Sequence, residues 1–261
     1  MSLRRLSAGW TALATALLLA LLHTPAQALP PGAAVVDSGQ FTVTVAGRLV
    51  GKEHFTLFKT GGDSLTALVN LVQFHPVDQR IDTLMKSVQF AVDGFDYALH
   101  SYNSVQMFRG QRMTRSILIN DTTYTSYREM GSKGEGNTFM LPPGRLYVLD
   151  PPVFTNLDVV CLNLKNRMFH TRPVTMLMMT TTRDTVITAT VTDLGRDTIR
   201  WAGRPVAARH MTLGDANASY DVWLHDDGRM LRLEHGPSRL RVERTNPAVS
   251  RPVARRTRAR G

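Results

Sequence analysis

His225, Asp226, Asp227 and His235 fall within one short stretch, "YDVWLHDDGRMLRLEH", residues 220 to 235. Imidazoles and neighbouring carboxylates are the groups that hold a divalent metal or move a proton. A metal site needs three or four donors converging at fixed spacing. The other histidines of the body, His54, His75, His100, His170 and His210, are scattered, with no HExxH and no cysteine pair. No metal and no cofactor is therefore expected. Other chemistries find equally little support. There is no G-x-S-x-G elbow, and Ser38 and Ser132 sit beside glycines in loop-like surroundings. "KGEGN" has neither a strand before it nor the Lys-Ser or Lys-Thr of a phosphate loop. Glu53 and Glu234 would make a glycosidase-type carboxylate pair only if the fold joined them. Cys161, the one cysteine, lies among apolar neighbours in "FTNLDVVCLNLKN" and fits a small core residue better than a nucleophile. No catalytic residue is assigned, and the chain is expected to be non-catalytic.

The elements that must carry these residues explain the cluster more simply. In residues 220 to 235, Tyr220, Val222 and Leu224 alternate with Asp221, Trp223 and His225. Leu231 and Leu233 then alternate with Met230, Arg232 and Glu234 after an Asp227-Gly228 turn. That is a β-hairpin with Val222 and Leu224 inward and its acids at the turn, where short polar side chains stabilise the loop. The same device recurs. Phe41, Val43 and Val45 precede turns near Gly47 and Gly51, followed by Phe55 and Leu57. Val88, Phe90 and Val92 precede Asp93-Gly94, followed by Phe95, Tyr97 and Leu99. "RMTRSILINDTTYTSYRE" reads as strand material and "SKGEGNTFMLPPG" as a loop. Only "DPPVFTNLDVVCLNLKNRM" has helical spacing, behind two prolines and with Thr155 or Asn156 as a cap, which predicts one short helix around residues 154–166. From residue 173 the β pattern returns. The expected fold is mainly β, a curved antiparallel sheet forming a half-barrel or barrel.

The ends of the chain differ from its body. Arg4 and Arg5, an apolar run from Thr11 to Leu22 and the Ala26-Gln27-Ala28 cleavage pattern read as a signal peptide over residues 1–28. The run is too short to span a membrane, so the mature chain is expected to be exported to the periplasm or beyond, by the Sec or the Tat route. Residues 29–39 read as a linker and 40–245 as a single β-rich domain. The net charge of +10 is concentrated at the ends: Arg4 and Arg5 leave with the signal, and Arg251, Arg255, Arg256, Arg258 and Arg260 belong to the last eleven residues. The body is thus nearly neutral, which argues against specific nucleic-acid binding. Residues 246–261 read as a disordered basic tail, either a solvated solubiliser or a weak contact for an anionic membrane surface. A methionine-rich run, "TMLMM", points to an irregular apolar face. A concave face with Met176, Met178, Val222 and Leu224 would take a lipid or acyl chain, unless these residues only fill the core.

"FTVTVAGRLVGKEHFTL", with Gly47, Gly51, Glu53 and Phe55, resembles the opening of exported bacterial β-rich proteins of unknown function. "RLYVLDPPVFTNLDVV" resembles their central segment, and residues 220–235 their closing hairpin. That group is loosely similar to the periplasmic half-barrel of the LolA and LolB lipoprotein carriers. The resemblance implies a curved sheet with a helical cover and a role in binding a lipid, a lipoprotein acyl chain or an envelope component. The alternative is an envelope interaction protein that acts through a β edge and the basic tail.

Overall fold

In the computed structural model the described residues are 29–60, 64–75, 77, 79–93, 96–108, 111–150, 153–165, 167–179, 184–215 and 218–245. The segments read as a signal peptide and as a basic tail, the latter with its five arginines, lie outside them. The alternating segments become β1 (Ala34–Val45), β2 (Arg48–Lys59), β3 (Ser64–Phe74), β4 (Ile81–Asp93), β5 (Asp96–Phe108), β6 (Gln111–Ile119), β7 (Thr123–Met130) and β8 (Lys133–Met140). After β9 (Leu146–Leu149) comes the helix α1 (Thr155–Leu164). Then follow β10 (Thr171–Met178), β11 (Thr185–Trp201), β12 (Arg204–Gly214), β13 (Ser219–Leu224), β14 (Met230–His235) and β15 (Leu240–Arg244).

All fifteen strands join one sheet, which runs from β8 down to β1 and continues from β15 down to β9. Neighbours are antiparallel except β9 and β10. The exception follows from connectivity: two parallel strands need a crossover, and α1 supplies it. The sheet curves without closing, so β8 and β9 are its two edges. The mainly β, curved antiparallel architecture with one short helix agrees with the sequence reading. The face that carries α1 holds a continuous apolar core drawn from both halves of the sheet, including Phe41, Leu57, Leu65, Val88, Met176 and Leu233.

Several local expectations need correction. β1 begins at Ala34, inside the segment read as a linker, and Asp37 in that stretch is buried. The first hairpin turns only at Ala46-Gly47, where both residues have positive φ as a two-residue type I′ turn requires. Gly51 is instead a paired strand residue, opposite Val43 and Gln73. Residues 133–140 are not a loop but the edge strand β8, held by its ladder with β7 despite Gly134 and Gly136. Propensity alone missed it because a partner strand supplies the hydrogen bonds that composition does not predict.

The closing hairpin forms as β13 and β14, but a register shift between Trp223 and Leu224 inserts Leu231 as an extra residue. Met230 and Leu233 consequently share the inner core with Val222 and Leu224, while Leu231 joins Trp223, Ile199 and Ala208 in a second cluster on the other face. Leu231 and Leu233 therefore do not share a face. Nor is the outer face wholly wet. β11 carries its own register shift, between Asp193 and Gly195. Beyond it, the tip of the β11–β12 hairpin packs on the outer face of β13–β15. Trp201 Nε1 donates to the Arg244 carbonyl (2.7 Å), and Trp223 Nε1 donates to Asp197 (3.1 Å).

Candidate functional site

Inward-pointing charges distinguish this core. Glu53 shares the inner phase of β2 with Phe55 and Leu57, and Lys86 that of β4 with Leu84 and Val88; both are buried. Glu53 serves α1. The residue before the helix, Phe154, has no capping side chain of its own, and neither Thr155 nor Asn156 caps as expected. Instead the Glu53 carboxylate accepts the backbone N–H groups of Phe154 (2.7 Å) and Thr155 (2.8 Å) together with the Thr155 hydroxyl. A carboxylate at a helix N-terminus satisfies otherwise orphaned donors and opposes the positive end of the helix dipole.

Lys86 Nζ lies 3.7 Å from Asp150 Oδ2 and 5.3 Å from the centre of the Tyr102 ring, and the Tyr102 hydroxyl donates to the same carboxylate. Burial raises the Glu53 carboxyl pKa, offset in part by Lys86 and the three donors at the helix. Burial likewise lowers the Lys86 ammonium, while Asp150 and Glu53 oppose that shift. Since Asp150 follows β9 directly, this cluster ties β4 and β5 to the far edge of the sheet. Arg115 of β6 and Arg128 of β7 continue the seam, at 3.6 and 3.3 Å from Asp184. Side-chain charges thus close what backbone ladders leave open.

A second buried cluster holds the first turn of α1 through Asp158. Arg244, at the end of β15, is 2% exposed and sits 4.9 Å from the Phe55 ring centre and 5.3 Å from that of Phe41. It donates to Asp37 (3.0 Å), to Asp158 of α1 (2.7 Å) and to the Met230 carbonyl (3.0 Å). Asp158 also accepts the Met230 N–H at 2.6 Å, beside the β13–β14 register shift. Burial pushes the Asp158 carboxyl up to about 6, although Arg244 pulls it down.

Further along, Asn163 exchanges hydrogen bonds with the backbone of Tyr97, both at 2.8 Å. At the end of the helix, Arg209 donates to the carbonyls of Leu164, Lys165 and Arg167 and pairs with Asp193 at 2.7 Å. Arginine at the last carbonyls complements the negative end of the dipole. The helix is therefore fastened in its first turn by the buried Glu53 and Asp158–Arg244 groups and at its end by Arg209, which lines an open cleft.

The histidine–carboxylate set of residues 225 to 235 is dispersed. His225 bonds Asp227 (3.0 Å), and Asp226 pairs with Arg196 (2.8 Å) on the wall of an open cleft of about 770 Å³ beside the C-terminal end of α1. His235 lies at the opposite end of β14, its ring 4.9 Å from that of Tyr220. Among the described residues, no group of three or more His, Cys, Asp or Glu is placed to hold a metal ion. Glu53 and Glu234 do not meet: Glu53 is capping α1, while Glu234 pairs with Arg241 (2.8 Å) on the outer face. Cys161 is buried in the core, and its thiol is held well above its ordinary value by burial.

Met176, Val222 and Leu224 are buried in the continuous core, and Met178 packs against it. Leu224 also contributes to the lining of the open cleft of about 770 Å³. The sheet edges are unequal. β9 is buried along its four residues, whereas β8 is exposed along all eight.

The fold is β-barrel-like. It resembles the β-barrel-like protein of domain of unknown function DUF1849 from Brucella abortus, with a TM-score of 0.53 and 11% sequence identity, covering 80% of this chain and 95% of that one. A DUF1089 family protein from Pseudomonas aeruginosa is similar at a TM-score of 0.45 and 10% identity, covering 72% of this chain and 90% of the other. No protein-family model and no curated protein matches the sequence. At such identity the likeness concerns the barrel-like fold and carries no activity.

The sequence reading overlooked Glu53 as a cap, and it overlooked Lys86, Asp37, Asp158 and Arg244 altogether. A signal existed for three of them. Glu53, Lys86 and Arg244 each occupy the apolar phase of a strand, with Arg244 following Val242 by two positions. An ionisable residue in that phase must be paired once buried.

Proposed function

We propose that this chain is an exported, non-catalytic recognition protein that accepts an extended segment of a cell-envelope partner along the open edge of β8. The observation that carries this reading is the asymmetry of the edges: β8 is exposed throughout and β9 is buried. An unpaired strand edge is a ready template for β-augmentation, and natural proteins usually cover or break one they do not use. β8 contains no proline, and its residues Lys133 and Glu135 leave most of the edge uncharged. The N-terminal segment supports export, and the tail arginines Arg251, Arg255, Arg256, Arg258 and Arg260 would add weak attraction to an anionic envelope surface. An acyl-chain carrier would need Met176, Met178, Val222 and Leu224 together to border open space; the packing of Met176, Met178 and Val222 in or against the core favours the edge.

The test is a proline on that edge. Leu141 N–H donates to the Thr122 carbonyl, so by the alternation of an antiparallel ladder the N–H groups of Gly134, Gly136, Thr138 and Met140 point away from β7. Thr138→Pro removes an outward donor and spares the internal ladder. In-cell crosslinking from β8 to an envelope partner is expected to fall about tenfold, while folding stability changes by no more than about 1 kcal/mol. Unchanged crosslinking in Thr138→Pro would remove the edge from the function. Lipid co-purifying with both forms in native mass spectrometry would return the acyl-chain reading.

A further inference from the structure

We propose that the open edge of β8 selects one kind of segment: an extended stretch with two large apolar side chains three residues apart, one packed on Phe139 and the other laid over Gly136. The proposal rests on the reading of β8 as the recognition edge and names the chemistry that this edge would recognise.

The first position comes from a row of residues that ends at the edge. Ile119, Tyr124 and Phe139 stand directly opposite one another across β6, β7 and β8. Ile119 packs against the main core and Tyr124 belongs to it, and the rings of Tyr124 and Phe139 stack with centroids 5.1 Å apart. Exposure rises from 5% at Tyr124 to 45% at Phe139, whose free side has no neighbouring strand in the sheet. By the alternation that points the Leu141 N–H toward β7, Phe139 also turns its N–H toward β7. On the free side it would therefore form a non-hydrogen-bonded pair with an added strand, the kind in which opposed side chains come closest. An apolar residue there continues the row.

The second position lies on the opposite face. Gly134 and Gly136 pair with Glu129 and Tyr127 of β7, and neither has the positive φ that would require glycine. Their missing side chains make room instead. The Tyr127 ring lies along them, so that a Cβ at Gly134 would collide with its hydroxyl and one at Gly136 would stand 3.4 Å from its Cδ2. That ring is 38% exposed, and its hydroxyl donates to Glu129 at 3.3 Å. On this face β8 presents a floor of bare backbone beside an aromatic wall. A large side chain opposite Gly136 can fold across the floor and meet the Tyr127 ring, burying apolar area that a small one leaves wet. Gly136 and Phe139 are three positions apart, so the residues facing them are three apart as well, whichever way the segment runs.

A display library of random peptides, panned on the full chain, tests the assignment. The expected result is enrichment of peptides with aromatic or large aliphatic residues at two positions three apart. Gly136→Val fills the floor with a residue suited to strands. Binding of the enriched peptides, read by fluorescence polarisation, should weaken about tenfold in this variant, and panning on it should keep one large residue and replace the other with a small one. Phe139→Thr should weaken the same peptides and relax the other position. An unchanged melting midpoint certifies the fold of each variant. Thr138→Pro removes an outward donor and neither side-chain contact, so it separates this selection from the edge itself. Binding lost in Thr138→Pro but unchanged in Gly136→Val and Phe139→Thr overturns the selection and leaves the edge standing. Binding that survives Thr138→Pro, or no enrichment of any peptide, overturns the selection together with the edge.

Discussion

Replacing Arg244 with Met is expected to destabilise the protein by about 3–5 kcal/mol at pH 8, and by clearly less at pH 5. The side chain is 2% exposed, and its guanidinium is shared between Asp37, Asp158 and the Met230 carbonyl. Its removal leaves Asp158 buried without its paired guanidinium and Asp37 with Arg229 alone, at 3.3 Å. The pH dependence follows from Asp158, whose carboxyl is pushed up from 3.8 to about 6 by burial even with Arg244 in place. A carboxyl raised on folding takes up protons in the native state. Its contribution to stability is full below about pH 4 and is lost as pH rises through about 6. Without Arg244 the same carboxyl rises further, so the variant holds Asp158 neutral over a wider range and loses most stability only above it. Urea midpoints at pH 5, 6, 7 and 8 check this. A loss of equal size at every pH would show that the buried carboxylates do not carry the effect. Adding Asp158→Asn to Arg244→Met should recover part of the loss at pH 8.

Replacing Glu53 with Ala is expected to cost about 3 kcal/mol or more, combining a lost helix cap of about 1 kcal/mol with the penalty for a buried charge pair broken on one side. Glu53 is the acceptor for the Phe154 and Thr155 N–H groups, and the same change takes one of two carboxylates away from Lys86. Hydrogen exchange separates the two parts. Protection of Phe154 and Thr155 should fall in Glu53→Ala and stay low after Lys86→Met is added, while global stability partly recovers. Unaltered protection at these two amides in Glu53→Ala would mean that α1 finds its cap elsewhere.

Both effects concern residues that strand phase could have marked. Alternation over β2, β4 and β15 places Glu53, Lys86 and Arg244 among inward apolar neighbours. That pattern says each must be compensated, and it is silent on the partner. The partners, Thr155, Asp150 and Asp158, lie far away in sequence and converge only because the sheet curls around α1.

The residues 220–235 show the same division at the scale of one hairpin. Alternation and the Asp227-Gly228 turn were enough to replace an active site with a strand pair. A single inserted residue at Leu231 was not visible, and it puts Leu231 and Leu233, read as sharing a face, on opposite faces. What the sequence by itself determined is the class of the molecule: period-two alternation, turn chemistry and one helical run dictate a mainly β sheet with a single helix, because those preferences are local. Only the tertiary structure decided which strands are edges, where the ladders slip and which charges meet inside. Those depend on contacts between residues as far as 207 positions apart, such as Arg244 with Asp37, and no local periodicity encodes them.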